Sequence, residues 1–493
     1  MITKPQRWMI LIIVSSALFL ITIDVTVLYT ALPRLTHDLA ATASEKLWIV
    51  NAYPLVMAGL LPAFGTLGDH VGHKRLFVAG LAVFGAASVV AAYAPVAYVL
   101  IAARVLLAAG AAMMMPATLS IIRVTFADER ERAMAIGIWS AIASGGAGIG
   151  PLVGGVLLEY YWWGSVFLIN IPVVLIALGF ALPLIPDFRG QTAKRWDWLG
   201  SVQIMTGLVA VVYAIKELGR SNSSFATALA ATVIGIMTIT IFVRRQNRQA
   251  DPLIDFTLFC NLRFRLGTLT ALVSTFVLTG SELAFTQQFQ LVRGFSPLEA
   301  GLYTMSLAIA CFCSSLLAAW LLPRADTLTI QSLSLLISGL GLVGFLFAHN
   351  AAQSAQIGCL LIIGAGLGGA MTAASHAIIN YVPLSQAGTA ASIEEVSYEL
   401  GSVIGVTVLG SLSTAVYSAS LTVDSALPMV VHDSLDEALL VAEALPAAAA
   451  ASLTAAAQAA FNQAFLAVLA AAAGILFLSA LVICIAAQRA QKS

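Results

Sequence analysis

Fourteen apolar runs, most of them about 20 residues long, follow one another along this chain, and runs of that length cross a bilayer as helices. They cover approximately 8–32, 45–67, 76–94, 96–122, 133–158, 162–184, 198–216, 223–243, 266–291, 299–322, 326–347, 354–380, 387–416 and 457–487. In hydrocarbon every backbone N–H and C=O needs a partner within the protein, which leaves only helices and closed barrels. The runs are continuous rather than alternating, so strands are excluded. Composition agrees: the 493 residues are 60% hydrophobic and 10% charged, where soluble domains carry roughly 25% charged residues. The first run continues past position 30 without a small-residue cleavage site, so it reads as a retained span rather than a signal peptide.

An even number of spans puts both termini on one side. That side then holds 18 of the 24 Lys and Arg residues. The other side holds five (Arg34, Lys46, Lys216, Arg220 and Arg293), and Arg104 lies within a span. The positive-inside rule places both termini in the cytoplasm. Residues 1–190 and 261–493 are expected as two six-helix halves, with 191–260 an inserted helix pair and its linkers. The long outer loop 417–456 contains Asp424, Asp433, Asp436, Glu437 and Glu443 but no Lys or Arg. Its DSLDEALLVAEAL stretch, a Ser/Asp cap followed by helix formers, predicts an ordered helical hairpin.

A net charge of zero with no basic block excludes nucleic acid as a partner. No G-x-x-x-x-G-K-[ST] loop is present, so ATP is not the expected energy source. The five cysteines lack metal-ligand spacing and read as small core residues. Neither enzymatic activity, nor a cofactor, nor a metal is expected.

Five carboxylates fall inside the spans: Asp24, Glu282, Glu394, Glu395 and Glu399. Charge in hydrocarbon is costly, so acids there point to function. A cavity lined by them suits two ligands, a proton and an organic cation. Glu395 and Glu399 are four apart and share a helix face with Tyr398 and Ser402. Glu394 lies about 100° around the helix. Two acids on one face repel as anions, which favours a bound proton or cation. Glu282 reads either as a second cation contact or as a polar lining residue near the exit. Tyr29, Tyr53, Trp139, Phe285 and Tyr398 would complete an aromatic pocket, because aromatic faces attract quaternary ammonium groups.

Several segments carry a family likeness. GTLGDHVGHKR, Gly65 to Arg75, has glycines at 65 and 68 for close helix approach and Gly72 for a tight turn. Asp69 can cap a neighbouring helix, and Lys74 and Arg75 anchor the segment. It resembles the signature loop of the major facilitator superfamily, which implies a gating role. SGGAGIGPLVGG, Ser144 to Gly155, repeats glycine at 146, 150 and 154 along one stripe, with Pro151 allowing a bend. It resembles the antiporter motif of drug-exporting members. Arg104 with Gly110 is similar to a further family motif, although Ala108 stands where the family usually has Gln. Arg104 is expected to pair with backbone carbonyls or with a carboxylate. ITIDVTVLYTALP around Asp24 and SIEEVSYELGSVIG around Glu394, Glu395 and Glu399 resemble the fourteen-span drug:proton antiporters, in particular exporters of methyl viologen and quaternary ammonium biocides. Glu399 often has Asp as its counterpart there. WWGSVFLINIP, from Trp162, reads as an interface anchor.

The likeness covers essentially the whole chain. It implies an all-α fold of fourteen transmembrane helices in a bacterial inner membrane, acting as a monomer in the lipid bilayer. The implied task is export of lipophilic organic cations in exchange for protons. The alternative is a proton-coupled nutrient or peptide symporter of the same fold. A redox-driven proton pump subunit would need buried lysines and histidines, and here His376 is the only histidine deep in a span. A membrane sensor would need a soluble output domain, for which the chain has no room.

Overall fold

A computed structural model describes the backbone of residues 3–187, 197–218, 224–249, 252, 254–382, 387–423 and 427–490. Some side chains inside helices, including those of Asp69 and Ser144, lie outside the described residues.

The first half comprises α1 (Lys4–Asp38), α2 (Ala43–Val71), α3 (His73–Ala92), α4 (Ala97–Thr125), α5 (Glu129–Tyr160), the short α6 (Ser165–Leu168) and α7 (Asn170–Leu184). A pair follows, α8 (Trp198–Leu218) and α9 (Phe225–Gln246). The second half is α10 (Leu262–Gln287), α11 (Pro297–Leu321), α12 (Thr327–Ala348), α13 (Gln353–Asn380), α14 (Ala387–Ser420), α15 (Leu435–Glu443) and α16 (Ala447–Ala490). Thirteen helices among the described residues are long and apolar enough to cross a membrane, and α5, 32 residues long, adds the apolar segment Ile149–Tyr160. The chain is an all-helical, multi-pass membrane protein.

Local chemistry sets the helix ends. Thr42 caps α2 by accepting from Glu45 N, while the Glu45 carboxylate accepts from Thr42 N. Ser296 and Glu299 repeat this reciprocal cap on α11, with Pro297 in the first turn. Each such cap is worth about 1 kcal/mol. Gly72, at φ 106°, separates α2 from α3 in a region other residues avoid. One buried core is drawn almost entirely from α1–α7 and a second from α10–α16. The halves meet where α5 packs on α11 and α2 on α14, and α8 leans on both α2 and α14. α9 instead turns Val233, Ile236 and Ile241 outward, as a helix facing lipid does.

The span expected at 162–184 is present as Ser165–Leu184; its hydrogen bonding slips at Ile169, between α6 and α7, and Asn170, fully buried, follows at the start of α7. One boundary differs from the sequence reading. The last helix starts at Ala447 rather than near 457. Alanine has the highest helix propensity, so AAAAASLTAAAQAA extends the helix. At about 1.5 Å per residue a 44-residue helix overshoots a hydrocarbon core of about 30 Å.

Candidate functional site

A cavity of about 150 Å³ lies between the halves, lined by Tyr29 and Val25 of α1, Tyr53 of α2, Arg104 of α4, Thr275 and Thr279 of α10, and Tyr398, Glu399 and Ser402 of α14. Tyr53 is fully buried, and its hydroxyl has no hydrogen-bond partner among the described residues. Buried hydroxyls are nearly always paired, so this one is placed to meet a ligand or water.

Beneath the wall lies an ion pair. Arg104 donates from Nη1 to Asp24 Oδ2 at 2.6 Å, and both side chains are withdrawn from water (1% and 0% exposed). Asn170 donates to Asp24 Oδ1 at 3.1 Å and to Ser88 Oγ at 3.2 Å. The guanidinium also stacks 4.6 Å from the centre of the Tyr53 ring. Asp24 is therefore linked to the cavity through Arg104 and does not line it.

The α14 acids occupy different surroundings. Glu399 lines the cavity. Glu394 is buried and accepts from Tyr398 Oη at 3.1 Å, with the same hydroxyl 3.4 Å from Met371 O. Glu395 sits between them in sequence, half-buried, and is not part of the cavity wall. Glu282, also half-buried, stands within electrostatic reach of Tyr29.

Three of the five aromatic residues named from the sequence meet at the cavity: Tyr29, Tyr53 and Tyr398. The other two do not. Trp139 donates to Thr118 Oγ1 at 3.2 Å in the core of the first half. Phe285 stacks on Phe289 and meets Phe345 and Phe465 edge-to-face inside the second half. Both rings are large apolar groups whose helices offer them a packed core, so neither is available to a ligand in this conformation.

The glycine stripe of α5 lies on α1. A Cβ at Gly150 would stand 1.8 Å from Thr26 Oγ1, and one at Gly146 2.1 Å from Thr22 Oγ1. At the next residue, Pro151 O approaches Gly301 of α11 so closely that a Cβ there would lie 2.4 Å away. The stripe thus joins α1 to α5, and α5 to the other half. At Gly65, among the described residues, a Cβ would meet nothing nearer than Pro116 at 3.9 Å, a looser contact than the sequence reading expects. Lys74 donates to Leu182 O at 2.7 Å, and Arg75 pairs with Asp187 at 3.1 Å, both within or just after the first half. The Asp69 side chain lies outside the described residues.

Sequence reasoning missed the polar contacts that close the end opposite the termini. Asn51 Nδ2 donates to Thr407 Oγ1 at 3.0 Å, and Gln290 Nε2 to Thr30 O at 3.0 Å. Gln290 lies in a π-helical turn, Gln288–Val292, that ends α10, a distortion often found at functional sites. α15 docks there too: Asp436 pairs with Lys46, Glu437 Oε1 accepts from Ala43 N at 3.1 Å, and Glu443 meets His37 Nε2 at 2.9 Å. The sequence signal was an acidic outer loop on a side that holds five Lys and Arg residues, Lys46 among them.

Two helical halves around a polar, acid-bearing cavity define a membrane transporter. The profile of the Major Facilitator Superfamily matches residues 14–406, and the chain belongs to that family. It is 38% identical over 466 residues to the multidrug efflux pump LfrA of Mycolicibacterium smegmatis, covering 93% of this chain and 92% of that one. It is 36% identical over 446 residues to the methyl viologen resistance protein SmvA of Salmonella typhimurium, covering 90% of each. Among solved structures, an inward-facing, occupied bacterial homologue of the human lysosomal transporter Spinster superposes with a TM-score of 0.66 at 16% identity, over 99% of this chain and 98% of that one. That likeness concerns the fold.

Proposed function

We propose that this protein exports lipophilic organic cations, among them quaternary ammonium compounds, methyl viologen, biguanides and cationic dyes, in exchange for protons. The observation that carries the reading is the cavity between the halves, where one carboxylate, Glu399, is surrounded by three tyrosines. Such a site attracts a cation that cannot donate hydrogen bonds, through charge and through the aromatic faces. The names of the relatives, a multidrug efflux pump and a methyl viologen resistance protein, point the same way.

In this scheme a cation enters from the termini side and settles against Glu399. Opening of the far end lets protons reach Glu399, Glu395, Glu394 and Glu282, and the cation leaves. Return to the present conformation releases the protons on the termini side. The Asp24–Arg104 pair couples to the cavity because Arg104 faces both: protonation of Asp24 frees the guanidinium to repel the departing cation. Asp69, Gly65, Gly72, Lys74 and Arg75 belong to the gate at the termini end. Gly150 and Pro151 set the α5 hinge between the halves. The divisions 1–190, 191–260 and 261–493 are the moving and inserted units; the Lys/Arg asymmetry supports cytoplasmic termini, and the bacterial relatives support an inner-membrane location.

The test uses everted membrane vesicles holding a proton gradient reported by a pH-sensitive dye. Addition of methyl viologen or a quaternary ammonium compound should collapse part of the gradient with the unaltered protein. Asp24→Asn and Glu399→Gln should abolish that response. Inserted, folded protein that gives no response to any organic cation overturns the reading.

A further inference from the structure

A second, larger cavity, of about 460 Å³, opens at the end opposite the termini, between α2, α4, α8, α14 and the segment leading into α15. Its size falls within the range of about 300–1,000 Å³ typical of small-molecule pockets, which the central cavity does not reach in this conformation. Its chemistry is that of a cation site. Among the described residues three carboxylates line it, Glu45, Asp433 and Glu437, with one ammonium, that of Lys216. Two aromatic residues, Trp48 and Tyr98, complete the wall.

Two observations raise this above an acidic cluster. Glu437 is 6% exposed, and while its Oε1 accepts from Ala43 N, its Oε2 has no hydrogen-bond partner among the described residues. A buried carboxylate oxygen without a partner carries a desolvation penalty that an arriving cation offsets. The second is that the Trp48 face already holds a cation: Lys216 Nζ stands 5.4 Å from its ring centre and 5.6 Å from that of Tyr213. The protein's own ammonium marks where an organic cation would sit.

We propose that this outer cavity is a second binding site for organic ammonium or phosphonium ions, held by Glu437 and Trp48, on the exit side of the transporter. It deepens the export reading and rests on it: a cation released from the central cavity has a second place to bind before it leaves. The inserted helix pair gains a role, because α8 brings Lys216 to the wall. Lys216 competes with the ligand for Trp48, which keeps the outer site weak and the cation free to depart.

The experiment measures tetraphenylphosphonium binding by equilibrium dialysis. Full-length protein is held in phosphatidylglycerol nanodiscs, so that no lipid amine competes. Two sites per protein are expected. Glu437→Gln should remove one of them, and Trp48→Ala should weaken the same one about tenfold. Lys216→Met should tighten it several-fold, a gain that damaged folding would not produce. Glu399→Gln should remove only the other site. A single site that Glu399→Gln abolishes and Glu437→Gln, Trp48→Ala and Lys216→Met leave unchanged overturns the outer site while leaving the export reading intact. Two sites without cation-driven proton movement in vesicles would overturn the export reading and leave the outer site standing. No binding overturns the outer site.

Discussion

Asp24 and Arg104 are both withdrawn from water, so removing one leaves the other charge buried and unpaired, at a cost of about 3–5 kcal/mol. Replacing both charges is often far less damaging. Asp24→Asn should therefore lower the thermal stability of the purified protein markedly, and Asp24→Asn/Arg104→Gln should recover most of it. Both variants should fail to transport. Size-exclusion fluorescence after a heat step reads the stability, and a single variant as stable as the unaltered protein would show that the pair does not hold this fold. The two charges stood out in the sequence because each is rare in an apolar run. Their partnership did not, because 80 residues separate them and Arg104 could equally have met carbonyls. Asn170 was invisible for a different reason. A lone asparagine inside WWGSVFLINIP gives no sign that its amide will meet Asp24, 146 residues away. Trp139 and Phe285 mark the converse limit: an aromatic ring on a polar-faced helix suits a pocket or a core equally well, and only packing decides.

At the scale of helices, the glycine stripe and the signature loop make opposite predictions. Gly150→Leu would drive a side chain into Thr26 and separate α1 from α5. It should reduce folded protein in the membrane severely, because overpacked interfaces without room to relax cost about 1–3 kcal/mol or more. Among the described residues Gly65→Ala meets an ordinary contact with Pro116, and it should leave thermal stability unchanged. If Gly65→Ala nonetheless slows export, the glycine is needed in the conformation in which the termini end closes. A stability loss with Gly65→Ala would contradict the packing seen here. The stripe was legible from its four-residue period, whereas the partner of each glycine was not.

α15 offers a pH test. Burial lifts the Glu437 carboxyl from its ordinary 4.5 to about 7; Asp433 and Asp436 add to the rise, and Ala43 N–H and Lys46 oppose it. Docking of α15 therefore takes up a proton. The stabilisation this gives is fully present below about pH 4.5 and is lost as pH rises through about 7. Hydrogen exchange at α15 amides, corrected for intrinsic rates, should show stronger protection at pH 5.5 than at pH 8. Glu437→Gln should flatten that difference. Equal protection at both pH values in the unaltered protein would detach Glu437 from docking.

For the molecule as a whole, the apolar runs carried nearly all of the architecture. Fourteen of them, none alternating, left one kind of membrane fold, and the asymmetry of Lys and Arg made the count self-consistent. What the runs could not convey is conformation, because the same helices pack in every state of a transporter and only the contacts between halves change. Among the described residues, cross-half hydrogen bonds are seen at the end opposite the termini, through Asn51–Thr407, Gln290–Thr30 and the docked α15. Export requires that end to open. A disulfide between Asn51→Cys and Thr407→Cys, in a background without the five native cysteines, should hold it shut. Oxidation should then stop substrate-driven proton movement in vesicles, and a reductant should restore it. Substrate binding measured from the termini side should survive oxidation, since the cavity at Glu399 stays intact in the closed form. Transport that continues with the disulfide formed would mean that the far end does not have to part at Asn51, and the exit would have to run elsewhere than between α2 and α14.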